Sequence, residues 1–174
     1  EVVPYTYEDL IQDLSEFAPY QSDEAYQGIR ANKDANSEDD NYLVSFGEVV
    51  FSFVSSTAGI VSKCSEGKAL NQNFAKLIIE YQHLDPRYLC YCLNQSSHLK
   101  KQMAVAMQGS TLRRLTPSSL RMLDIPIIDS VQQQSIGHAY FSLLKRQYLL
   151  KQKIQQEEDF VLALLEAQLE SETN

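Results

Sequence analysis

Apolar residues recur along this chain with three spacings, and each predicts a different element. From Tyr7 to Phe17 (YEDLIQDLSEF), Leu10, Ile11, Leu14 and Phe17 follow the three-to-four step of a helix. Thr6 stands before it as an N-cap, and Glu8 and Asp9 suit the positive end of the helix dipole. Ala31 to Asn41 (ANKDANSEDDN) has no apolar anchor and reads as an exposed acidic loop, without the Gly and spaced oxygens of a calcium loop. From Tyr42 the texture changes. Tyr42–Phe46, Val49–Val54 and Ile60–Ser62 are rich in Val, Phe and Tyr and predict strands, with turns at Phe46-Gly47-Glu48 and Ser55–Gly59. Phe74–Tyr81 (FAKLIIEY) predicts another strand.

Helical spacing then returns. Asp85-Pro86 is a cap followed by Pro at the first position, and the pattern predicts one helix from Pro86 to Met107, stopped by Gly109. Leu120–Ile128 contains an extended run, LDIPII, whose Pro suits a strand end. Val131 to Ser171 holds no Pro and a single Gly, Gly137, so it predicts one helix of roughly 40 residues, about 60 Å long. Ile136, Tyr140, Leu143, Gln147, Leu150, Ile154, Glu157, Val161 and Leu164 step alternately by four and three, a heptad seam with two polar interruptions. No second long helix in this chain is available to cover that seam.

Charge sharpens this picture. The net charge of −8 hides a segregation. Residues 1–48 carry 12 Asp/Glu against 2 Lys/Arg, residues 49–156 carry 13 Lys/Arg against 5 Asp/Glu, and residues 157–174 carry 6 acids and no base. A basic middle between acidic ends is compatible with phosphate binding and equally with a solvated surface. The first part of the long helix is basic (Lys145, Arg146, Lys151, Lys153) and the second acidic (Glu157, Glu158, Asp159, Glu166, Glu170, Glu172). A parallel pair of such helices sets like charges together, so the pattern predicts an antiparallel pair crossing near Gln155.

No catalytic or metal constellation is visible. His83, His98 and His138 are scattered, and Cys90 and Cys92 diverge on a helix, so neither metal nor cofactor is expected. Phosphate-binding and dinucleotide-binding glycine motifs are absent. Three cysteines, Cys64, Cys90 and Cys92, cannot all pair internally, which suits a reducing, cytoplasmic setting; no apolar run is long enough to span a membrane. The chain starts at Glu1 with neither Met nor a secretory leader, so a fragment of a longer protein is expected.

The order of these pieces carries a resemblance. Val44-Ser45-Phe46-Gly47-Glu48-Val49-Val50, the small-residue stretch Ser55–Val61, Leu70-Asn71-Gln72-Asn73-Phe74 and Asp85-Pro86-Arg87-Tyr88-Leu89 come in sequence. They are succeeded by Gln108-Gly109-Ser110-Thr111, Leu115, Leu120, Ile125-Pro126-Ile127, Gln134 and Ile136. From Tyr42 to about Ile154 the chain resembles one target-recognition domain and spacer helix of the DNA specificity subunit of type I restriction-modification enzymes. It departs from the family where Ser130-Val131-Gln132-Gln133 replaces an acidic residue before the Gln, and where Phe53 and Val54 stand in a neighbourhood that often carries an Arg.

The resemblance implies a half-sized, non-enzymatic specificity subunit, either natural or cut from a longer protein, whose partners are double-stranded DNA and a type I methyltransferase (modification) subunit. The expected fold class is α+β: a small mixed-sheet recognition domain over residues 1–130, then one long coiled-coil-forming helix over residues 131–174. DNA contacts are expected at Lys63, Lys68, Ser110, Thr111, Arg113, Arg114 and Arg121; Arg reads guanine edges, while Lys neutralises phosphate. The acidic N-terminal region is expected to face the methyltransferase subunits or to repel DNA non-specifically. Homodimer contacts are expected at Tyr140, Leu143, Leu150, Ile154, Val161 and Leu164. The alternative is a degenerate specificity fragment that binds only proteins, as a decoy or assembly part.

Overall fold

A computed structural model describes residues 3–16, 42–79, 84–108 and 114–172. Helix α1 (Tyr7–Glu16) starts at a reciprocal cap. The Thr6 amide and hydroxyl donate to Asp9 Oδ2 at 2.8 and 2.9 Å, and the Asp9 amide donates to Thr6 Oγ1 at 3.2 Å. Leu10 and Leu14 turn inward as the helical spacing predicts, whereas Ile11 stays on the surface and Phe17 lies outside the described residues.

Three strands form an antiparallel sheet in the order β2-β1-β3: β1 (Val49–Ser52), β2 (Thr57–Ile60) and β3 (Phe74–Leu77). Parallel pairing is confined, among the described residues, to a single bridge between Pro4 and Ala69. Val49 and Phe51 face the main core, and Val50 faces a smaller cluster with Tyr5, Leu10, Val44 and Val61, the two-residue alternation of a strand covered on both sides.

Two strand expectations are corrected. Tyr42–Phe46 makes only a bridge at Leu43, because the chain turns at Phe46-Gly47, with Gly47 in the left-handed region (φ 82°). The small-residue stretch expected as a loop supplies β2. Its smallness has a packing cause: a Cβ on Gly59 would sit 2.5 Å from Leu10 Cδ1, so glycine lets α1 lie against the sheet.

The single helix expected from Pro86 to Met107 is two helices, α2 (Pro86–Gln95) and α3 (Ser97–Gln108), broken at Ser96 (ψ 122°). Asp85 caps α2 through the amides of Arg87 and Tyr88. Neither Gly nor Pro marks the break. Asn94 is tied to β2, and beyond the bend Leu99 and Met103 join the main core. A short helix, α4 (Pro117–Arg121), capped by Thr116, takes the start of the stretch expected to be extended. The rest of that stretch, residues 123–128, is held without a strand ladder. The Gln102 side chain exchanges two hydrogen bonds with the Asp124 backbone at 2.8 and 3.0 Å, and Tyr88 Oη donates to the Pro126 carbonyl at 2.8 Å.

Helix α5 (Ser130–Glu172) begins at an Asp129 cap. Its first turns lie on α2 and α1, where Gln133, Tyr140 and Phe141 are buried. The Gln133 amide links α2 to the extended segment, accepting from the Asp85 amide and donating to the Ile128 carbonyl, both at 2.8 Å. From Leu149 to Glu170 every residue is exposed. One end of α5 is thus part of the domain core and the other is a projecting arm.

Candidate nucleic-acid interface

Outside α5, the described cations fall into two groups. Three are tied into the domain: Lys68 Nζ reaches Asp9 Oδ1 at 2.6 Å, Lys76 Nζ reaches Glu48 Oε2 at 3.0 Å, and Arg87 reaches Asp85 at 3.2 Å. Lys63, Lys100, Lys101, Arg114 and Arg121 are on the surface. The Lys63 ammonium lies over the Phe46 ring, 5.8 Å from its centroid, a cation–π contact on an exposed side chain.

The expected DNA residues therefore divide. Lys63, Arg114 and Arg121 are exposed and able to meet a phosphate or a base edge. Lys68 is drawn into the fold, because the basic loop before β3 packs beside the acidic first turn of α1. Burial works to raise the Asp9 carboxyl, but the Lys68 ammonium and the Thr6 amide and hydroxyl outweigh it and hold Asp9 below its ordinary value. Ser110, Thr111 and Arg113, and the acidic loop 31–41, lie outside the described residues.

A groove of about 450 Å³ runs between β3 and α4, walled by Leu77, Ile79, Leu89, Leu120 and Ile125, with Arg121 at its lip. Cys90 and Cys92 are buried in the core, where burial pushes both thiols up. Cys64 is exposed; hydrogen bonding to Glu16 raises its thiol. Among the described residues no group of three or more His, Cys, Asp or Glu is placed to hold a metal ion, and no helix is long and apolar enough to cross a membrane.

The helix seam also divides. Tyr140 is corrected: it is 8% exposed, packs on Tyr91 and Phe141, and its hydroxyl accepts from Asn94 Nδ2 at 3.1 Å. The domain has already taken the surface that Tyr140 was expected to offer a second helix. Leu143, Leu150, Ile154, Val161 and Leu164 remain exposed. A single heptad seam missed Leu149, Phe160, Leu162, Leu165 and Leu169, which are also exposed. At about 100° per residue, Phe160 to Leu169 spread apolar side chains over roughly 200° of the helix surface, far wider than a two-stranded seam.

A domain with exposed cations is thus joined to a projecting helix whose apolar positions stay uncovered among the described residues. No curated protein and no solved structure matches the chain. The family model for the type I restriction modification DNA specificity domain matches residues 11–158, from within α1 into the exposed part of α5 and short of Phe160. The chain belongs to the family of type I restriction-modification DNA specificity domains.

Proposed function

We propose that this chain supplies one recognition domain and one spacer helix of a type I specificity subunit, reads DNA and carries no chemistry of its own. Two copies pair antiparallel through α5 and direct type I methyltransferase subunits to a bipartite site, in the cytoplasm. The observation that carries this reading is the uncovered end of the arm, apolar over half its circumference from Phe160 to Leu169. A stretch that wide needs more than one neighbour. A second copy supplies one and a modification subunit the other. An antiparallel pair also holds two recognition domains tens of Å apart, as a site read in two halves requires.

In this reading Lys63, Arg114 and Arg121, with Ser110, Thr111 and Arg113, form the DNA-facing set. Lys68 acts on DNA only if Asp9 releases it. The test is the double variant Arg113→Ala/Arg114→Ala, assembled with the methyltransferase subunit. Specific binding is expected to weaken by about 1–3 kcal/mol for each base-reading Arg, with binding that falls steeply as salt rises. Unchanged affinity and unchanged sequence preference would remove these two residues from the interface. No DNA binding by the wild-type assembly at low salt would favour the protein-only decoy.

A further inference from the structure

Two turns lie side by side at one end of the sheet. Ser52 pairs with Thr57 on one flank and Phe74 on the other, and the Phe53 amide donates to the Asn73 carbonyl at 2.8 Å. This end bears no charged side chain: residues 53–57 read Phe-Val-Ser-Ser-Thr and residues 70–73 read Leu-Asn-Gln-Asn. Its β1–β2 turn is built against ordinary turn chemistry. Ser56 sits in the left-handed region (φ 53°), where Gly, Asn or Asp is favoured. Val54, a β-branched apolar residue, is 59% exposed at the tip. Beside it the side-chain amides of Gln72 and Asn73 make no hydrogen bond among the described residues. The turn is held internally, the Ser55 amide donating to Ser52 Oγ at 3.3 Å and Thr57 Oγ1 to the Ser55 carbonyl at 3.2 Å.

We propose that this end of the sheet meets base edges in the DNA major groove, with Val54 against the 5-methyl group of a thymine and the Gln72 and Asn73 amides bonding beside it. The inference rests on the reading of the chain as a DNA-recognition component and names where the bases are read. Phosphate contacts are shared by every sequence, so discrimination needs groups that match a base edge, and neutral side chains read adenine and thymine edges as Arg reads guanine. The thymine methyl is the apolar feature of the major-groove code, and an uncovered isopropyl group on a fixed turn complements it. Amides with both donor and acceptor free suit an adjacent base or a phosphate oxygen.

The experiment uses the full chain assembled with its methyltransferase subunit and duplexes bearing the recognised site. Each thymine is replaced in turn by uracil, which lacks only the methyl. One replacement is expected to weaken wild-type binding about 3- to 10-fold, the worth of one buried methyl. Val54→Ala is expected to lose the same factor on the thymine duplex and nothing further on the uracil duplex. A thermal melt matching the wild type shows that the variant folds. Sequence-selective binding in which Val54→Ala senses every thymine-to-uracil change as the wild type does would overturn the inference and leave DNA recognition standing. Val54→Ala that instead loses the methyltransferase subunit, with selectivity intact, would overturn it in favour of a protein contact. A wild-type assembly without sequence preference would overturn both readings.

Discussion

Asn94 pairs with Ala58 as a neighbouring strand would. The Ala58 amide donates to Asn94 Oδ1 at 2.8 Å, and Asn94 Nδ2 donates to the Ala58 carbonyl at 2.8 Å. Ala58 lies on an outer strand of the described sheet, so a side chain on α2 satisfies backbone groups that no strand reaches. Replacing Asn94 by Leu leaves both groups buried and unpaired, and the expected loss in urea unfolding is about 2–4 kcal/mol. A loss under about 0.5 kcal/mol would mean that water serves these groups equally well.

Gly137 sets how closely α5 approaches α2. A Cβ there would lie 2.6 Å from Arg87 Cβ and 2.9 Å from the Tyr88 amide nitrogen. Backbone cannot swing aside, so Gly137→Ala is expected to cost about 1–3 kcal/mol, more than the roughly 1 kcal/mol that Ala gains over Gly inside a helix. Gly59→Ala is expected to cost less, since the close atom there is the mobile end of Leu10. Chemical denaturation of both variants checks the order, and the reverse order would refute it.

The Asp9–Lys68 contact predicts an acid-sensitive element. Asp9 ionises more easily in the fold than in the unfolded chain, so its contribution is fully present above the ordinary carboxylate range. That contribution is lost as pH falls from about 4 through the lowered value. Asp9→Asn and Lys68→Met are therefore expected to be less stable than wild type near neutrality. The difference should shrink as the pH falls. Urea midpoints measured from pH 2 to 7 test this, and a constant gap across that range would count against the pairing.

Exposed apolar positions on α5 predict concentration-dependent association. Ile154 is 64% exposed and sits near the expected crossing point. Ile154→Asp is expected to give a monomer in sedimentation at micromolar concentration, where the wild type gives a dimer, with the domain's melting unchanged. Charge contributes only orientation, because Lys153 and Glu157 already pair within one helix at 3.7 Å and exposed pairs are worth a few tenths of a kcal/mol. A monomeric wild type at that concentration would refute the homodimer.

Much of this protein is legible in one dimension. Helix α1, the β1 segment, the Asp85-Pro86 start of α2 and the length of α5 each rest on local periodicity, caps and the absence of breakers, which neighbours in sequence set. The segregation of charge is equally readable there, and so is the heptad seam, but not the breadth of apolar surface left uncovered around it. The tertiary structure decided the rest. Ser55–Val61 becomes strand where Thr57–Ile60 pairs with β1 and Gly59 admits Leu10, and Asn94 ties the end of α2 to Ala58 just before the break at Ser96. Tyr140 belongs to the domain and Leu143 to the surface for the same reason. Heptad spacing shows which residues share a face, but only the packing of α2 and α1 against α5 decides where along that face the domain ends. Lys68 and Lys63 look alike in the sequence, and the position of Asp9 tells them apart: one ammonium is neutralised inside the fold and the other stays on the surface over the Phe46 ring.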